Sequence, residues 1–216
     1  ILSGAVFQAD VLDELFDDWR DTDSPVKTQV THDEIYLFNS DTQSRLIPNS
    51  LVPKTMHNDG NYIISVGNLA RWLAERAEAM GVEIFPGFAA SELLFNDDNS
   101  VKGILIGDMG VGEDGQPKDG YMPGMELHAK YTVFSEGCRG HLGKQLIEKY
   151  HLDNGKTPQH YGLGFKEIWK IPAEQHQQGK VVHTGGWPLN NGSSGGGFMY
   201  HMEDNLIAIG YVVGLA

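Results

Sequence analysis

The chain has 216 residues, 40% of them hydrophobic and 21% charged, which suffices for one large core or two small domains. Aspartate and glutamate outnumber lysine and arginine 29 to 16, a formal charge of −13, so nucleic acid is not an expected partner because phosphate binding needs a basic face. The single cysteine, Cys138, excludes an intrachain disulfide and cannot by itself hold zinc or an iron–sulfur cluster. No apolar run approaches the roughly eighteen residues of a transmembrane helix, and no signal peptide is evident. The chain lacks an initiator Met and stops in the apolar run IAIGYVVGLA, so it reads as an internal piece of a longer protein.

The stretch ADVLDELFDDWR, residues 9–20, predicts an amphipathic helix. Leu12, Leu15, Phe16 and Trp19 share one face, and Asp13, Glu14, Asp17 and Asp18 lie elsewhere. From pattern alone this face packs on the rest of the protein, since membrane-surface helices carry lysine and arginine on the polar side. Residues 21–60 read as irregular around one strand candidate, EIYLF at 34–38, with Asp59-Gly60 as a turn. VGNLARWLAERAEAM at 66–80 is the clearest helix, with Asn68 as its expected cap and Gly81 as its stop. VEIFPGFAA then predicts a short strand, and helix, glycine and strand together suggest one layer of an α/β sheet.

Residues 91–134 read as an antiparallel meander: SELLF, VKGILIGD, a polar tip GEDGQPKDG, and a third strand MELHAKYTVF. That strand runs into a small-residue turn, Ser135-Glu136-Gly137, and a helix opening at Gly140 and covering 141–151. The free N–H groups of such a helix favour an anion; an ordinary strand-turn-helix corner reads equally well here. Residues 158–216 hold strand candidates YGLGFKEIWKI, KVVHTGGWPL, GGGFMYHME and LIAIGYVVGL, an antiparallel sheet, with a domain boundary near 152–158. The run Gly195-Gly196-Gly197 starts one of these strands, where missing side chains let a flat ligand approach the backbone or simply make a hairpin turn.

Together these stretches resemble one family. LSGAV, MHNDGNYIISVGNLARWLAERAEAMGVEIFPGFAASELLFND, GVGEDGQPKDG, GMELHAKYTVFSEGCRGHLGKQL, PQHYGLGFKEIWKI, HTGGWPL, GGGFMYH and IAIGYVVGL are similar, in order and spacing, to electron-transfer-flavoprotein:ubiquinone oxidoreductases. The resemblance implies an α/β (α+β) fold, in which part of a flavoprotein-reductase-like FAD domain accompanies an antiparallel-sheet ubiquinone-binding domain. It implies an irregular segment with a membrane-surface helix over 1–60, a partial FAD-binding domain over 61–152 and an incomplete ubiquinone-binding domain over 153–216. It implies FAD and a [4Fe–4S] cluster whose ligands lie outside this chain, and electron-transfer flavoprotein, ubiquinone and one membrane leaflet as partners. The membrane would be the inner one, met from the matrix side in mitochondria or the cytoplasmic side in bacteria. By the same resemblance Ala89, Ala90, Glu136, Gly137 and Gly140 line FAD, and Tyr161, Gly195 and Gly196 meet the quinone. The first GxGxxG unit of the family is absent, and Ser194 and Gly197 depart from its pattern. A geranylgeranyl-reductase-type flavoenzyme and a non-catalytic surface-binding module are the alternative readings. Neither Cys138 nor the histidines His183 and His201 are read as reactive, and Asp17 and Asp18 are candidate docking charges.

Overall fold

The structure is a computed structural model that describes residues 4–189 and 192–215; the opening residues of the LSGAV stretch, two residues after HTGGWPL and the last residue lie outside the described residues. The chain forms two compact units, one of residues 1–83 with 159–216 and one of residues 84–158. This partition differs from three successive segments, because residues 32–38 pair with a strand almost 150 positions later.

In chain order the first unit opens with β1 (Ala5–Phe7), α1 (Asp10–Leu15), β2 (Thr28–Gln29), β3 (His32–Phe38), β4 (Ser44–Ile47), β5 (Tyr62–Ile64) and α2 (Val66–Ala79). The second unit holds β6 (Ala90–Phe95), β7 (Val101–Ile106), β8 (Met109–Val111), β9 (Pro117–Met122), β10 (Glu126–His128) and α3 (His141–Tyr150). The chain then returns to the first unit with β11 (Tyr161–Lys170), β12 (Lys180–Gly186), β13 (Gly195–His201) and β14 (Leu206–Leu215).

In the first unit the four expected C-terminal strands form, and β3 and β4 extend them into a six-stranded sheet of order β11-β14-β13-β12-β3-β4. All its neighbours are antiparallel except β12 and β3, which run parallel in the register Val181↔Asp33, His183↔Ile35. A smaller sheet, β1-β5-β2, lies between the large sheet and the helices. Alternation along β5 explains how it serves both sides. Ile63 is fully buried against Val181, Tyr200, Met202 and Ala208 of the large sheet, and Ile64 packs with Leu12, Trp19, Leu69 and Trp72.

Helix α2 matches its expected span but not its expected cap. Ser65 is the N-cap, its hydroxyl accepting from the Asn68 amide. At the other end Gly81 takes φ +90°, and Val82 and Gly81 donate back to Ala77 and Glu78, which ends the helix in a left-handed turn. Helix α1 is shorter than predicted, six residues, because the chain turns out at Phe16 into extended geometry. Its apolar face is spent inside the unit: Leu12 and Trp19 are buried, Phe16 meets Trp72 edge-on at 5.4 Å, and the Trp19 indole donates to Asp13. Leu15 and Val11 point outward. Among the described residues no helix is long and apolar enough to cross a membrane.

The second unit contains the meander in part. β7 lies between β6 and β10, and β8 and β9 make the polar tip. Two expected strands are missing. VEIF at 82–85 and YTVF at 131–134 have strand-forming side chains but no neighbouring strand, and a strand without a ladder is not one. Tyr131 and Val133 are accordingly 90% and 85% exposed. The α/β layer expected after α2 therefore does not form; the described residues are sheet-rich, mostly antiparallel, with few helices. Helix α3 packs on β6 through Phe95, Tyr150 and Lys149.

Candidate functional site

The large sheet of the first unit has two unequal faces. Register places Ile168, Ala208, Tyr200, Val181 and Asp33 in one cross-strand row, and Lys166, Gly210, Phe198, His183 and Ile35 in the next. A third row continues through Gly164, Val212 and Gly196. The first row is core. Beyond it, this face opens into a cavity of about 450 Å³ lined by Gly4, Val6, Asn58, Gly164, Phe198 and Val212 among others, a size that suits a small ring.

The polar groups in that cavity are few and specific. The Tyr200 hydroxyl lies 3.0 Å from His183 Nε2, and the Tyr200 ring stacks on Phe198 at 4.9 Å. Lys166 donates to the Gly4 carbonyl at 3.0 Å. Asn58 donates to Asp33 through both its backbone and side-chain amides, at 2.9 and 3.1 Å. Burial pushes the Tyr200 phenol up to about 12, assisted by the charge of Asp33. Burial pulls the His183 imidazole down, and Asp33 opposes that only in part.

Tyr161, Gly195 and Gly196, expected at the quinone, come to the same end of this sheet. Tyr161 pairs with Leu215, and Gly195 and Gly196 pair with Val213 and Val212, so one strand, β14, separates them. The Tyr161 hydroxyl donates to Gln159 Oε1 at 2.8 Å. The glycine pair has a structural reason of its own. A Cβ on Gly196 would stand 2.0 Å from the Thr184 carbonyl oxygen, and one on Gly195, at φ +142°, would stand 2.1 Å from that of Val212. Just beyond, the Gly197 amide donates to the Thr184 hydroxyl at 2.9 Å.

The opposite face carries a wider groove of about 680 Å³ under Tyr36, Phe38, Phe165, Met199 and Tyr211. At one side Lys180 pairs with Glu34 at 3.1 Å, and Tyr36 donates to the same carboxylate. Burial would raise the Glu34 pKa, but the bonds from Lys180 and Tyr36 outweigh it and hold the carboxyl low. His201 also lies on this face, where its Nδ1 accepts from the Gln177 amide, a structural role.

The residues expected at FAD gather in the second unit. Ala90 starts β6 opposite Ile106, the Ala89 carbonyl accepts from Gly107, and His141 at the start of α3 meets the Ser91 carbonyl. Glu136 caps the start of α3. Its carboxylate accepts from the Leu142 and Gly143 amides at 3.1 and 2.8 Å, and these bonds lower its pKa. The Leu142 and Gly143 amides in the first turn of α3 are thus bonded to an anion of the chain itself. Gly140 lies so close under Glu136 that a Cβ would meet its side chain at 2.6 Å, and Gly137 makes the turn at φ +79°.

The comparisons fit a quinone-site protein first. A family model described as ETF-QO, ubiquinone-binding matches residues 161–216, the four strands β11–β14 that frame the cavity. The chain is also 57% identical over its whole length to the electron transfer flavoprotein-ubiquinone oxidoreductase of Pseudomonas aeruginosa, covering 39% of that protein. It is 54% identical to the probable oxidoreductase of that name from Acinetobacter baylyi, over 38% of it. The mitochondrial protein of Bos taurus is 48% identical, over 35% of its length. The chain belongs to the electron transfer flavoprotein-ubiquinone oxidoreductase family and spans between 35% and 39% of the length of these relatives.

The cavity's His183–Tyr200 pair, Asp33 and Asn58 were not among the residues singled out as functional. The pattern of GGGFMYH shows that Phe198 and Tyr200 share a face, but no local signal places Asp33 beside them, because that contact depends on the parallel β3–β12 pairing.

Proposed function

We propose that the full protein is an oxidoreductase that passes electrons from reduced electron-transfer flavoprotein to ubiquinone, and that the first unit of this chain supplies much of the quinone pocket. The observation that carries this reading is the cavity at the glycine end of the large sheet. It is apolar on most sides, contains a few convergent polar groups, and is framed by strands of the ubiquinone-binding match. The quinone ring lies over the Gly164–Val212–Gly196 row, with backbone groups of Gly195 and Gly196 as hydrogen-bonding anchors; Tyr161 starts β11 at the same end of the sheet, in register with the opposite face, and meets the quinone only around that end. The family reading adds FAD and a [4Fe–4S] cluster to the full protein, as the groups that carry electrons one or two at a time. This chain has one cysteine, so the cluster's thiolates come from elsewhere. Ala89, Ala90, Glu136, Gly137 and Gly140 are proposed as neighbours of the flavin nucleotide, with the Glu136 carboxylate also capping α3. Contact with one leaflet of the inner membrane is proposed for the full protein; α1 offers it Val11 and Leu15 only, both exposed.

A space-filling variant tests the quinone assignment. A Cβ at Gly164 meets the nearest atom, Val212 Cγ2, at 3.4 Å, an ordinary contact, so Gly164→Val keeps the strand and fills the cavity. In the full-length enzyme it is expected to raise the KM for ubiquinone by about tenfold or more, a loss of roughly 1.4 kcal/mol of binding, with reduction of the enzyme by its flavoprotein donor measured in parallel. A KM and kcat equal to wild type would remove the quinone from this cavity.

A further inference from the structure

Reduction of a quinone to a quinol consumes two electrons and two protons, and a side chain held at one quinone oxygen can deliver one of those protons while water supplies the other. We propose that the Tyr200 hydroxyl donates a proton to the quinone bound in this cavity, and that His183 re-protonates it. The inference rests on the quinone reading above. His183 and Tyr200 sit one and two rows from Gly196, on the same face and in the same cavity, 3.0 Å apart. Stacking against Phe198 and burial of the residue fix the direction of the phenol.

The groups that face the pair are few. From β3 comes Asp33, one oxygen held by Asn58 and the other, Oδ1, buried with no protein hydrogen-bond partner. From β11 comes Lys166, its ammonium tied to Gly4. From β14 the facing positions are Ala208, Gly210 and Val212; β1 and β5 bring Val6 and Ile63, none of which titrates.

The step balances as follows. With its proton on Nε2, His183 donates to the Tyr200 oxygen and leaves the phenol O–H free to point into the cavity. Two electrons from the reduced flavoprotein donor enter the quinone ring. The Tyr200 O–H bond breaks as an O–H bond forms on one quinone oxygen. The phenolate takes the Nε2 proton of His183, whose Nδ1 takes one from solvent, so the imidazole changes tautomer and ends neutral. The second quinone oxygen takes its proton from water, giving the quinol. The burial effects agree with this direction: the phenol is protonated at neutral pH and the imidazole uncharged.

The test uses the full-length enzyme with reduced electron-transfer flavoprotein as donor and a short-chain ubiquinone as acceptor. Tyr200→Phe is expected to lower kcat for quinone reduction by about 10²-fold, to leave the quinone KM near wild type, and to raise the solvent deuterium isotope effect on turnover as proton delivery becomes limiting. Ferricyanide, which takes electrons without protons, serves as the reference acceptor, and the ratio of quinone to ferricyanide turnover should fall by the same factor. Wild-type kcat and isotope effect in Tyr200→Phe, in an enzyme where Gly164→Val raises the quinone KM, would make the pair structural and overturn the proposal alone. Both variants behaving as wild type would overturn the quinone reading and the proposal with it. Should Tyr200→Phe fail to fold, His183→Gln keeps a hydrogen-bonding group beside the phenol but cannot relay a proton. It is expected to lose quinone turnover relative to ferricyanide in the same way, and unchanged turnover in it overturns the proposal.

Discussion

Gly196→Ala separates a structural from a ligand-binding reason for the glycine run. The backbone of Gly196 is open to any residue in φ, so the cost is one of space. The new methyl would lie 2.0 Å from the Thr184 carbonyl oxygen, whereas a carbon and a carbonyl oxygen of adjacent strands keep about 3.3 Å apart. Strands β12 and β13 must therefore part by more than about 1 Å at their last register pair, Thr184↔Gly197. Overpacking of that kind costs about 1–3 kcal/mol. Losing the Gly197 amide bond to the Thr184 hydroxyl adds about 0.5–1.5 kcal/mol, and the stiffer unfolded chain returns about 0.4–1 kcal/mol. The net expectation is a local destabilisation of about 0.5–4 kcal/mol. Gly164→Ala is the control: its Cβ has normal contacts, and only the favourable backbone term remains. Hydrogen exchange of the full-length protein, read on peptides from β12 and β13 with peptides from the second unit as internal reference, should show about 2- to 1000-fold faster exchange in Gly196→Ala. It should show no acceleration in Gly164→Ala. Wild-type exchange in Gly196→Ala, or equal loosening in both, would refute the packing argument and return the glycines to the ligand alone.

Other expectations follow from the same geometry. Trp19→Ala removes a fully buried ring and its bond to Asp13, and should cost about 3–5 kcal/mol, read as faster exchange across α1, β5 and α2. Burial lowers the pKa of both His183 and His201, the latter further through His176 and Lys180, so the unfolded chain binds more protons than the fold once pH drops below about 6.5. Stability of the first unit is therefore complete above that pH and falls as pH descends toward the two depressed values. His201→Asn should flatten the decline in melting temperature measured from pH 8 to 5, and a decline starting only near the carboxylate range would contradict the assignment. Glu34 adds a second loss at lower pH. Its carboxyl is held down by Lys180 and Tyr36, so its contribution is present above the ordinary glutamate value and disappears as pH falls through the lowered one. Lys180→Met should remove that lower phase.

Much of the first unit was legible because its signals are local. The four C-terminal strands alternate apolar and polar or glycine positions between clear turns, and α2 has both a helical stripe and a glycine stop. What failed depended on partners far along the chain. VEIF and YTVF have strand chemistry without a neighbour to pair with, and the parallel join of β3 to β12 has no local signature at all. Glu136 reads as part of an anion-binding helix start, yet a carboxylate six residues before Leu142 folds back to cap that helix itself. Likewise, Gly195, Gly196 and Tyr161 could be named from the sequence and do share an end of the sheet, whereas Asn58 and His183 reach the cavity, and Asp33 the core beside it, from segments whose meeting only the strand register reveals.

The central claim is that ubiquinone lies over the Gly164–Val212–Gly196 row of the large sheet. Photolabelling of the full-length enzyme with an azido-ubiquinone, followed by peptide mapping, tests it directly. The account predicts adducts on β11, β13 and β14, at Phe198 and Val212 above all, that excess unlabelled ubiquinone suppresses. Competable adducts confined to the second unit, or to parts of the protein outside this chain, would contradict it.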